Sequence, residues 1–364
     1  MGNVFIGKLL RVLKNKIDVL SGSFYPLDKT LNAMSVRPYE LHLELTNLCN
    51  AKCIFCPYQF QERDIQFMSD EVFYKSVNDF CSIGGGSVGL TPIVGDALID
   101  PKFLARVKYL RSREKIDRIF LTTNAILLDK FGIQEVLDSG LTSITISTAG
   151  FDKEMYERVY KSNSYEKMKN NVLNLIQLNN EKKEPLNITI ALRSDRRLEE
   201  VLKDKDFQPI LEYNPQIDFA WSYTSANGRI KSEMLSNEMR LRKVALKSKI
   251  SPCVQLFNGP IVLADGTVLG CTCVAAMDAI EDLGIGNILK SSLLEIWTGS
   301  KLSQIRNSFG SENLNKICRG CDMYRAPELY KTFEGRERAK INLLRMNSEI
   351  IKRTKKVNQP FSGG

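Results

Sequence analysis

The stretch that decides the fold is residues 39–57, which read YELHLELTNLCNAKCIFCP. Its first half, residues 39–46, is an apolar run that predicts a short β-strand. Three cysteines follow directly in the spacing C-x3-C-x2-C, at Cys49, Cys53 and Cys56. A metal site or a reactive site at the end of this strand is therefore expected.

The number and spacing of these cysteines indicate a redox cluster and not a zinc ion. Structural zinc sites usually have four ligands in two pairs, whereas three thiolates leave one iron of a [4Fe–4S] cube without a protein ligand. The alternative is three buried cysteines that act as small apolar residues, which explains neither their density nor their place after a strand. An open iron is a position at which chemistry can occur.

With this triplet, and with the aromatic Phe55 directly before the third cysteine, the chain resembles the radical S-adenosylmethionine (SAM) enzymes. The resemblance implies that Cys49, Cys53 and Cys56 hold a [4Fe–4S] cluster whose open iron chelates SAM. It further implies reductive cleavage of SAM to a 5′-deoxyadenosyl radical, which abstracts a hydrogen atom from the substrate. Phe55 would shield the adenine side of SAM. An electron-donor protein of the flavodoxin or ferredoxin type is the implied partner.

Length and composition predict a globular protein with room for one large and one smaller domain. The chain has 364 residues, of which 43% are hydrophobic and 26% are charged, as in ordinary folded domains. It has no apolar stretch long enough for a membrane-spanning helix and no secretion signal. Nine cysteines in such a chain favour metal binding in a reducing compartment over disulfides. We therefore expect a cytoplasmic protein.

The net charge of +9 is concentrated at the two termini. Residues 1–16 carry +4 and residues 331–364 carry +6, which leaves residues 17–330 with a net charge of −1. A nucleic-acid substrate would require a basic groove near the active site. We therefore expect no nucleic-acid partner. We expect a small-molecule substrate instead.

Both termini could also contact a membrane surface. Apolar residues recur at helical spacing near the N-terminus, with basic residues mostly on the opposite side; they are Ile6, Leu9, Leu10, Leu13, Ile17 and Leu20. Such an amphipathic helix can pack on its own domain or lie on an anionic membrane, here the inner membrane face. The basic tail at residues 331–364 leaves the same choice open, with a solvated terminus as the simpler interpretation.

From residue 39 to about 225, β-rich runs alternate with helical patterns, which predicts βα units around a parallel sheet. The predicted strands are residues 39–46, 86–91, 118–123, 143–148, 187–193 and 217–222. The predicted helices between them are residues 69–81, 102–112, 130–139, 164–180 and 197–213. Parallel strands with right-handed crossovers would form an open (βα)6 partial barrel of the α/β class. Ligands bind such sheets at the carboxyl ends of the strands, where the cysteine triplet lies.

By resemblance, four strand-end residues would contact SAM. Asp96 stands where the family has a Gly-Gly-Glu-Pro segment that holds the SAM amino group, although here the segment is Val94-Gly95-Asp96-Ala97. Ser147 would face the ribose, Arg193 the carboxylate, and Asn124 is a further candidate. The alternatives are a helix N-cap for Asp96 and ordinary strand-end polar residues for the other three.

A second set of cysteines lies beyond residue 250. Residues 261–269 alternate around an Asp-Gly turn, which predicts a β-hairpin that brings Cys253 and Cys271 together. A helix near residues 291–306 then leads back to Cys318 and Cys321. Four thiolates can thus converge on one site, and the spacing allows either zinc or a [4Fe–4S] cluster.

The region around this second set resembles the SPASM extension of radical SAM enzymes in its short form, the twitch domain. The resemblance implies a small α+β domain that holds one auxiliary [4Fe–4S] cluster on Cys253, Cys271, Cys318 and Cys321. The chain would then hold two clusters in all. The predicted regions are a basic amphipathic N-terminal segment at residues 1–38, the partial barrel at residues 39–230, the twitch domain at residues 231–330 and a basic C-terminal tail at residues 331–364.

Two further cysteines are not needed as cluster ligands. Cys273 could exchange with Cys271 as a ligand, donate a hydrogen atom to a substrate radical as a catalytic residue, or be a small buried thiol. Cys81, on a predicted helix, is expected to lie in the core.

The resemblance implies oxidation of an alcohol by dehydrogenation, or epimerisation, of a sugar, a cyclitol or a sugar-linked metabolite. A peptide maturase that forms thioethers or epimerises residues is the alternative. We expect a small polar substrate, because only about 38 residues precede the first strand, whereas peptide-modifying members often carry an additional N-terminal recognition domain. A non-enzymatic iron–sulfur electron carrier or sensor is a further alternative, and it predicts that no 5′-deoxyadenosine is formed.

Overall fold

The computed structural model describes residues 27–90, 93–243, 249–271 and 279–326. The predicted amphipathic helix of residues 6–20, the basic tail of residues 331–364 and Cys273 lie outside the described residues.

Six parallel strands form the barrel sheet, in the spatial order β6-β5-β4-β3-β2-β1. Their bounds are β1 Glu40–Leu43, β2 Gly86–Gly89, β3 Ile116–Thr123, β4 Ser143–Thr148, β5 Asn187–Leu192 and β6 Gln216–Phe219. All six predicted strands are present, and the predicted open α/β barrel is confirmed. Along β4 the isoleucines are buried and the alternating polar residues are half-buried, as expected for a strand whose two faces meet different surroundings.

Three further strands extend the same sheet beyond β1. They are β7 Ile261–Val262, β8 Thr267–Leu269 and β9 Gly284–Asn287. β7 pairs with β1 in parallel, whereas β8 pairs antiparallel with both β7 and β9. The predicted hairpin around Asp265-Gly266 is therefore confirmed. The smaller domain is not a separate layer, because its hairpin continues the barrel sheet.

Helices flank the strands. Their bounds are α1 Leu27–Val36, α2 Asp70–Ser82, α3 Phe103–Arg111, α4 Ile133–Asp138, α5 Lys153–Tyr160, α6 Tyr165–Glu181, α7 Leu198–Val201, α8 Gln208–Leu211, α9 Gln255–Asn258, α10 Ile280–Leu283, α11 Leu293–Thr298, α12 Ser300–Asn307 and α13 Lys316–Gly320. Short 3-10 helices span Pro57–Phe60, Ala97–Ile99, Leu128–Phe131, Lys205–Phe207 and Ser232–Met234. None of the described helices is long and apolar enough to cross a bilayer.

Local sequence sets several of these helix starts. Ser69 caps α2 by accepting a hydrogen bond from the Val72 N–H group at 3.1 Å, and Asp152 caps α5 through Met155 at 2.8 Å. Ser292 and Glu295 form a reciprocal capping box at the start of α11. Such side chains satisfy N–H groups that have no partner within the helix.

Two predicted helices differ from the structure, and five of the described helices were not predicted. Residues 197–213 form α7, a 3-10 turn and α8 instead of one helix, because Pro209 restricts the backbone near the start of α8. Residues 291–306 divide into α11 and α12 at Gly299. The helices that were not predicted are α1, α5, α9, α10 and α13. Cys81 is buried on α2, as predicted.

The turn after β2 approaches the cysteine loop so closely that only glycine fits. Gly95 has φ +90°, and a Cβ there would lie 2.3 Å from the Thr46 carbonyl oxygen. The next residue, Asp96, donates its N–H group to the Leu48 carbonyl at 2.9 Å. This contact fastens the β2 turn to the triplet loop, so a side chain at position 95 would push the two apart.

A buried carboxylate joins the end of β5 to the segment that leaves the barrel. Asp195 is fully buried and accepts hydrogen bonds from Arg158 at 2.8 Å, Ser236 at 2.7 Å and Asn237 at 2.9 Å. Burial alone would raise the pKa of Asp195, but these donors outweigh it and lower the pKa. The contribution of Asp195 to stability is therefore present above the unfolded-state pKa of about 3.9 and is lost as the pH falls through the lower folded-state value.

We expect an Asp195→Asn variant to lose about 1 to 3 kcal/mol of unfolding free energy at pH 7, because an amide cannot accept all of these hydrogen bonds. The difference from the wild type should shrink as the pH falls below about 4, because the Asp195 carboxylate is then protonated first in the unfolded chain and, at still lower pH, in the folded protein. Urea unfolding of both proteins at pH 7 and at a pH below about 4 measures the difference in unfolding free energy. The exposed Glu200 supplies the control Glu200→Gln. An equal loss at both pH values would contradict the assignment.

Candidate metal and cofactor site

The triplet loop leaves β1 and is held by the end of α5. The N–H group of Lys52 donates to the Tyr160 carbonyl at 3.1 Å, and that of Ile54 donates to the Val159 carbonyl at 3.0 Å. The last carbonyls of a helix lack partners within the helix, so the loop satisfies them and is fixed in return. The triplet thus lies at the carboxyl ends of the barrel strands.

The three thiols lie close enough to influence one another. Burial, followed by the effects of the Asp96 carboxylate and Cys56, raises the pKa of Cys49 to about 12, while N–H groups of Ala51 and Asn50 act in the opposite direction. Burial also raises the pKa of Cys53, followed by the effects of Cys56 and Cys49. The three sulfurs form one cluster of thiols that must release protons when metal binds.

This donor set fits a [4Fe–4S] cluster with one open iron. Three thiols come from one loop, and Cys49 accepts hydrogen bonds from loop N–H groups, which are the contacts that tune iron–sulfur clusters. Within the described ranges, no three Cys, His, Asp or Glu side chains form a ready site for a single metal ion. The thiolates of a cube bind different irons, so they need not converge on one point.

Asp96 is placed as a structural acceptor beside the triplet. Its carboxylate caps the 3-10 helix through the Leu98 N–H group at 3.0 Å, and accepts hydrogen bonds from the Thr123 hydroxyl at 2.8 Å and the Asn124 N–H group at 3.0 Å. Burial raises its pKa, and these three donors offset part of the rise. The contact with Leu98 is that of a helix N-cap, which is the alternative role that the sequence allowed for Asp96. A role of Asp96 toward the SAM amino group stays a prediction.

Asn124 connects this network to the first cysteine. Its side-chain Nδ2 donates to Asn50 Oδ1 at 2.6 Å and lies 4.0 Å from the Cys49 sulfur. Its own backbone is fixed by Asp96. Asn124 is thus a neighbour of the cluster loop, whereas the sequence placed it only as a candidate for SAM.

Phe55, Ser147 and Arg193 surround Tyr160. The Ser147 hydroxyl hydrogen-bonds the Tyr160 hydroxyl at 2.8 Å, and the Phe55 ring lies 5.6 Å from the Tyr160 ring and 5.3 Å from the Tyr223 ring. Burial raises the pKa of Tyr160 and of Tyr223, while the Arg193 guanidinium acts to lower both. The five predicted cofactor-binding residues therefore lie around the triplet, and their roles toward SAM stay predictions.

Three of the four predicted auxiliary ligands are close together. Cys253 accepts a hydrogen bond from the Arg325 N–H group and Cys321 accepts one from the Met323 N–H group, both at 3.4 Å from nitrogen to sulfur. Burial, followed by the effects of the neighbouring Cys321 and Cys253, raises the pKa of Cys318 to about 12. Asp322 then ties this segment to the barrel by accepting the Thr224 hydroxyl at 2.6 Å. This donor set also fits an iron–sulfur cluster.

Cys271 is half-buried at the end of β8, directly before the undescribed residues 272–278. The preceding Gly270 donates its N–H group to the Leu283 carbonyl at 3.0 Å. Cys271 or Cys273 as the fourth ligand stays a prediction.

Two cavities occur elsewhere on the described surface. One of about 530 Å³ is lined by Lys249, Ile250, Gly310, Ser311, Glu312, Leu314 and Arg319, and one of about 610 Å³ lies along α4 and α6. Neither is lined by the triplet or by the strand-end residues. We assign the chemistry to the triplet, because donor atoms and not cavity volume decide where a cluster can bind.

Sequence reasoning missed three residues of the site. Tyr160 and Tyr223 contact Phe55, and Asn50 contacts Asn124. An Asp-x-x-Met start at residue 152, followed by apolar residues at helical spacing, could have indicated α5 and thus Tyr160.

Profiles of two protein families match the chain. That of the Radical SAM superfamily matches residues 43–204, and that of an iron-sulfur cluster-binding domain, SPASM, matches residues 253–322. The two matches enclose the triplet and the second cysteine set respectively.

Among curated proteins, the chain is similar to GTP 3′,8-cyclases. It is 25% identical to that of Mannheimia succiniciproducens over 209 residues, which are 55% of this chain and 61% of the relative. It is 28% identical to the probable GTP 3′,8-cyclase of Methanococcus maripaludis over 137 residues, 37% of this chain and 45% of the relative. The chain thus spans less than two thirds of either relative.

Among solved structures, the fold resembles BtrN in complex with AdoMet and 2-DOIA, with a TM-score of 0.52 and 16% identity over 80% of this chain and 95% of BtrN. It also resembles Streptococcus suis SuiB bound to the precursor peptide SuiA, with a TM-score of 0.58 and 15% identity over 81% of this chain and 73% of SuiB. At these identities the similarity concerns the fold alone.

Proposed function

Because residues 43–204 belong to the radical SAM superfamily and residues 253–322 to the SPASM type of iron–sulfur cluster-binding domain, we propose that this enzyme abstracts a hydrogen atom from a small polar metabolite. The substrate is a sugar, a cyclitol or a sugar-linked compound. The reaction is oxidation of an alcohol or epimerisation of a carbon centre. The observation that supports this proposal best is that three thiols lie together at the strand ends with four of the predicted cofactor-binding residues, Phe55, Asn124, Ser147 and Arg193.

Bound [4Fe–4S] clusters and SAM supply the 5′-deoxyadenosyl radical and a place to receive an electron. Cys49, Cys53 and Cys56 would hold the SAM-binding cluster, and Cys253, Cys271, Cys318 and Cys321 the auxiliary one. Phe55 and Tyr160 provide an aromatic wall beside the triplet, which suits the adenine of SAM. Arg193 provides a cation for the SAM carboxylate.

The charge of the site favours a neutral or weakly charged substrate. Residues 17–330 have a net charge of −1. Two arginines near the site are held by buried carboxylates, since Arg63 pairs with Glu44 at 2.7 Å and Arg158 with Asp195 at 2.8 Å, whereas Arg193 is the cation proposed for the SAM carboxylate. Guanidinium groups held in this way are committed to structure. A polyanionic substrate would require uncommitted cations.

A second candidate is cyclisation of a purine nucleotide, which the sequence similarity to GTP 3′,8-cyclases favours. It requires a triphosphate site, and the near-neutral body of the chain counts against that. The two candidates predict different products, so one assay separates them.

The test is anaerobic turnover of the reconstituted enzyme with SAM and a reductant in deuterated water, with a host metabolite extract or with GTP, analysed by mass spectrometry. A metabolite lighter by two hydrogens indicates oxidation, and one that gains a single deuterium at carbon indicates epimerisation. A GTP-derived product of unchanged composition supports the second candidate. Fully loaded enzyme that forms no 5′-deoxyadenosine with either substrate source would contradict both.

Cys273 separates the two outcomes of the first candidate. Epimerisation needs a hydrogen atom returned from the opposite face, and Cys273 is the proposed donor, whereas oxidation needs none. A Cys273→Ala variant that cleaves SAM but no longer inverts the product would support epimerisation. Unchanged product formation would assign oxidation.

A further inference from the structure

Lys249 lies directly against the second cysteine set. The residue is 8% exposed, and its ammonium donates to the carbonyl oxygens of Cys318 at 2.5 Å, Arg319 at 3.0 Å and Cys321 at 2.7 Å. An ammonium has three donors and no acceptor, so these carbonyls use its full capacity. A buried lysine with all its hydrogen bonds made to one four-residue segment, Cys318–Cys321, fixes the shape of that segment.

The backbone around Lys249 is fixed as well. The Lys249 carbonyl accepts a hydrogen bond from the Gly310 N–H group at 2.9 Å. Gly310 has φ +79°, and a Cβ there would lie 3.0 Å from the Ile250 carbonyl oxygen, so glycine permits this close approach. The Lys249 ammonium also lies 5.4 Å from the centre of the Tyr324 ring, a favourable cation–π contact.

The three carbonyls belong to the end of α13, whose last carbonyls lack partners within the helix. A cation there stabilises the helix end. It also brings a positive charge next to thiols. Burial lowers the pKa of Lys249, whereas the neighbouring Cys321, Cys318 and Cys253 act to raise it. The ammonium is therefore buried beside the residues that would hold the auxiliary cluster.

We propose that Lys249 is a positioning residue of the auxiliary cluster, which holds the Cys318–Cys321 segment in its ligating shape and raises the reduction potential of the cluster. This inference rests on the proposed auxiliary cluster at Cys253, Cys318 and Cys321. Reduction adds a negative charge to a cluster, and a buried positive charge nearby stabilises the reduced form. An enzyme that passes an electron to this cluster would benefit from the higher potential.

The test uses the full-length chain with Cys49, Cys53 and Cys56 all replaced by alanine, so that only the auxiliary cluster gives a signal. In this background the midpoint potential is measured by redox titration monitored by electron paramagnetic resonance. Lys249→Met removes the charge and the donors, Lys249→Gln removes the charge but keeps donors, and Lys249→Arg keeps both. Lys290→Met removes an exposed lysine after β9 and is the matched control.

We expect the midpoint potential to become more negative in Lys249→Met and Lys249→Gln, and to stay near the parent value in Lys249→Arg and Lys290→Met. Failure of Lys249→Met to load iron, with normal loading of Lys249→Arg, would also support the inference through the positioning role.

Unchanged potential and iron content in both Lys249→Met and Lys249→Gln would overturn the inference. Loss of the cluster from Lys249→Arg as well as from Lys249→Met would also overturn it, in favour of a purely steric requirement. A parent protein that binds no auxiliary cluster would instead contradict the proposed function, which keeps the two failures distinct.

Discussion

A Cys53→Ala variant is expected to lose SAM cleavage, with the rate of 5′-deoxyadenosine formation reduced by at least about 100-fold. Loss of an outer-shell partner of a metal site already costs about 10- to 100-fold in affinity or activity, and Cys53 is placed as a direct ligand. Both Cys49 and Cys56 act on the Cys53 thiol, which locates it among the three sulfurs. Two remaining thiols would leave half of a cube without protein ligands.

The measurement combines iron and sulfide content after anaerobic reconstitution with 5′-deoxyadenosine formation under reducing conditions. The variant should lose about four irons per chain, which is one cube, and should keep the auxiliary cluster. The control is Cys81→Ala, which removes a thiol that is buried on α2 and belongs to neither cysteine set. A Cys53→Ala protein with full iron content and normal SAM cleavage would contradict the site assignment.

The strands could be predicted because local sequence determines them. The run Ser143–Thr148 is rich in β-branched residues and alternates in polarity, and β4 has the predicted bounds. The break within residues 197–213 was not predicted. Its cause is partly tertiary, since Arg196 pairs with Asp204 at 2.6 Å across the turn. An ion pair between residues eight apart leaves no periodic signal in the sequence.

The candidate site could be predicted only where a residue type and a strand end coincide. The cysteines, Asn124 and Ser147 meet that condition. Lys249 does not, because its three acceptors lie about 70 positions further along the chain and nothing near residue 249 distinguishes this lysine from others. Tertiary packing creates its role, just as it creates the contact of Tyr160 with Phe55.

A buried ion pair couples the triplet loop to both parts of the sheet. Glu44 is fully buried, and its carboxylate accepts two hydrogen bonds from the Arg63 guanidinium, each 2.7 Å long. The same carboxylate accepts the Ala264 N–H group at 3.3 Å, and the Glu44 N–H group donates to the Val262 carbonyl at 3.0 Å. Arg63 lies just after the triplet loop, and residues 262–264 belong to the hairpin of the smaller domain. The pair therefore connects β1, the loop and the hairpin.

Replacing Arg63 by methionine is expected to lower the free energy of unfolding by about 3 to 5 kcal/mol, because it leaves the Glu44 carboxylate buried without a counter-charge. Denaturant unfolding at pH 7 measures this loss, and faster release of iron to a chelator should accompany it.

The control is Arg118→Met. Arg118 on β3 contacts Glu40 on β1 at 3.9 Å, but the Arg118 side chain is 46% exposed, so we expect a loss of at most about 1 kcal/mol. The double variant Glu44→Leu with Arg63→Met removes both charges and should recover part of the lost stability. If the double variant were less stable than Arg63→Met alone, the energy would reside in the hydrogen bond that the Ala264 N–H group donates to the Glu44 carboxylate, and the unpaired buried charge would not be the cause.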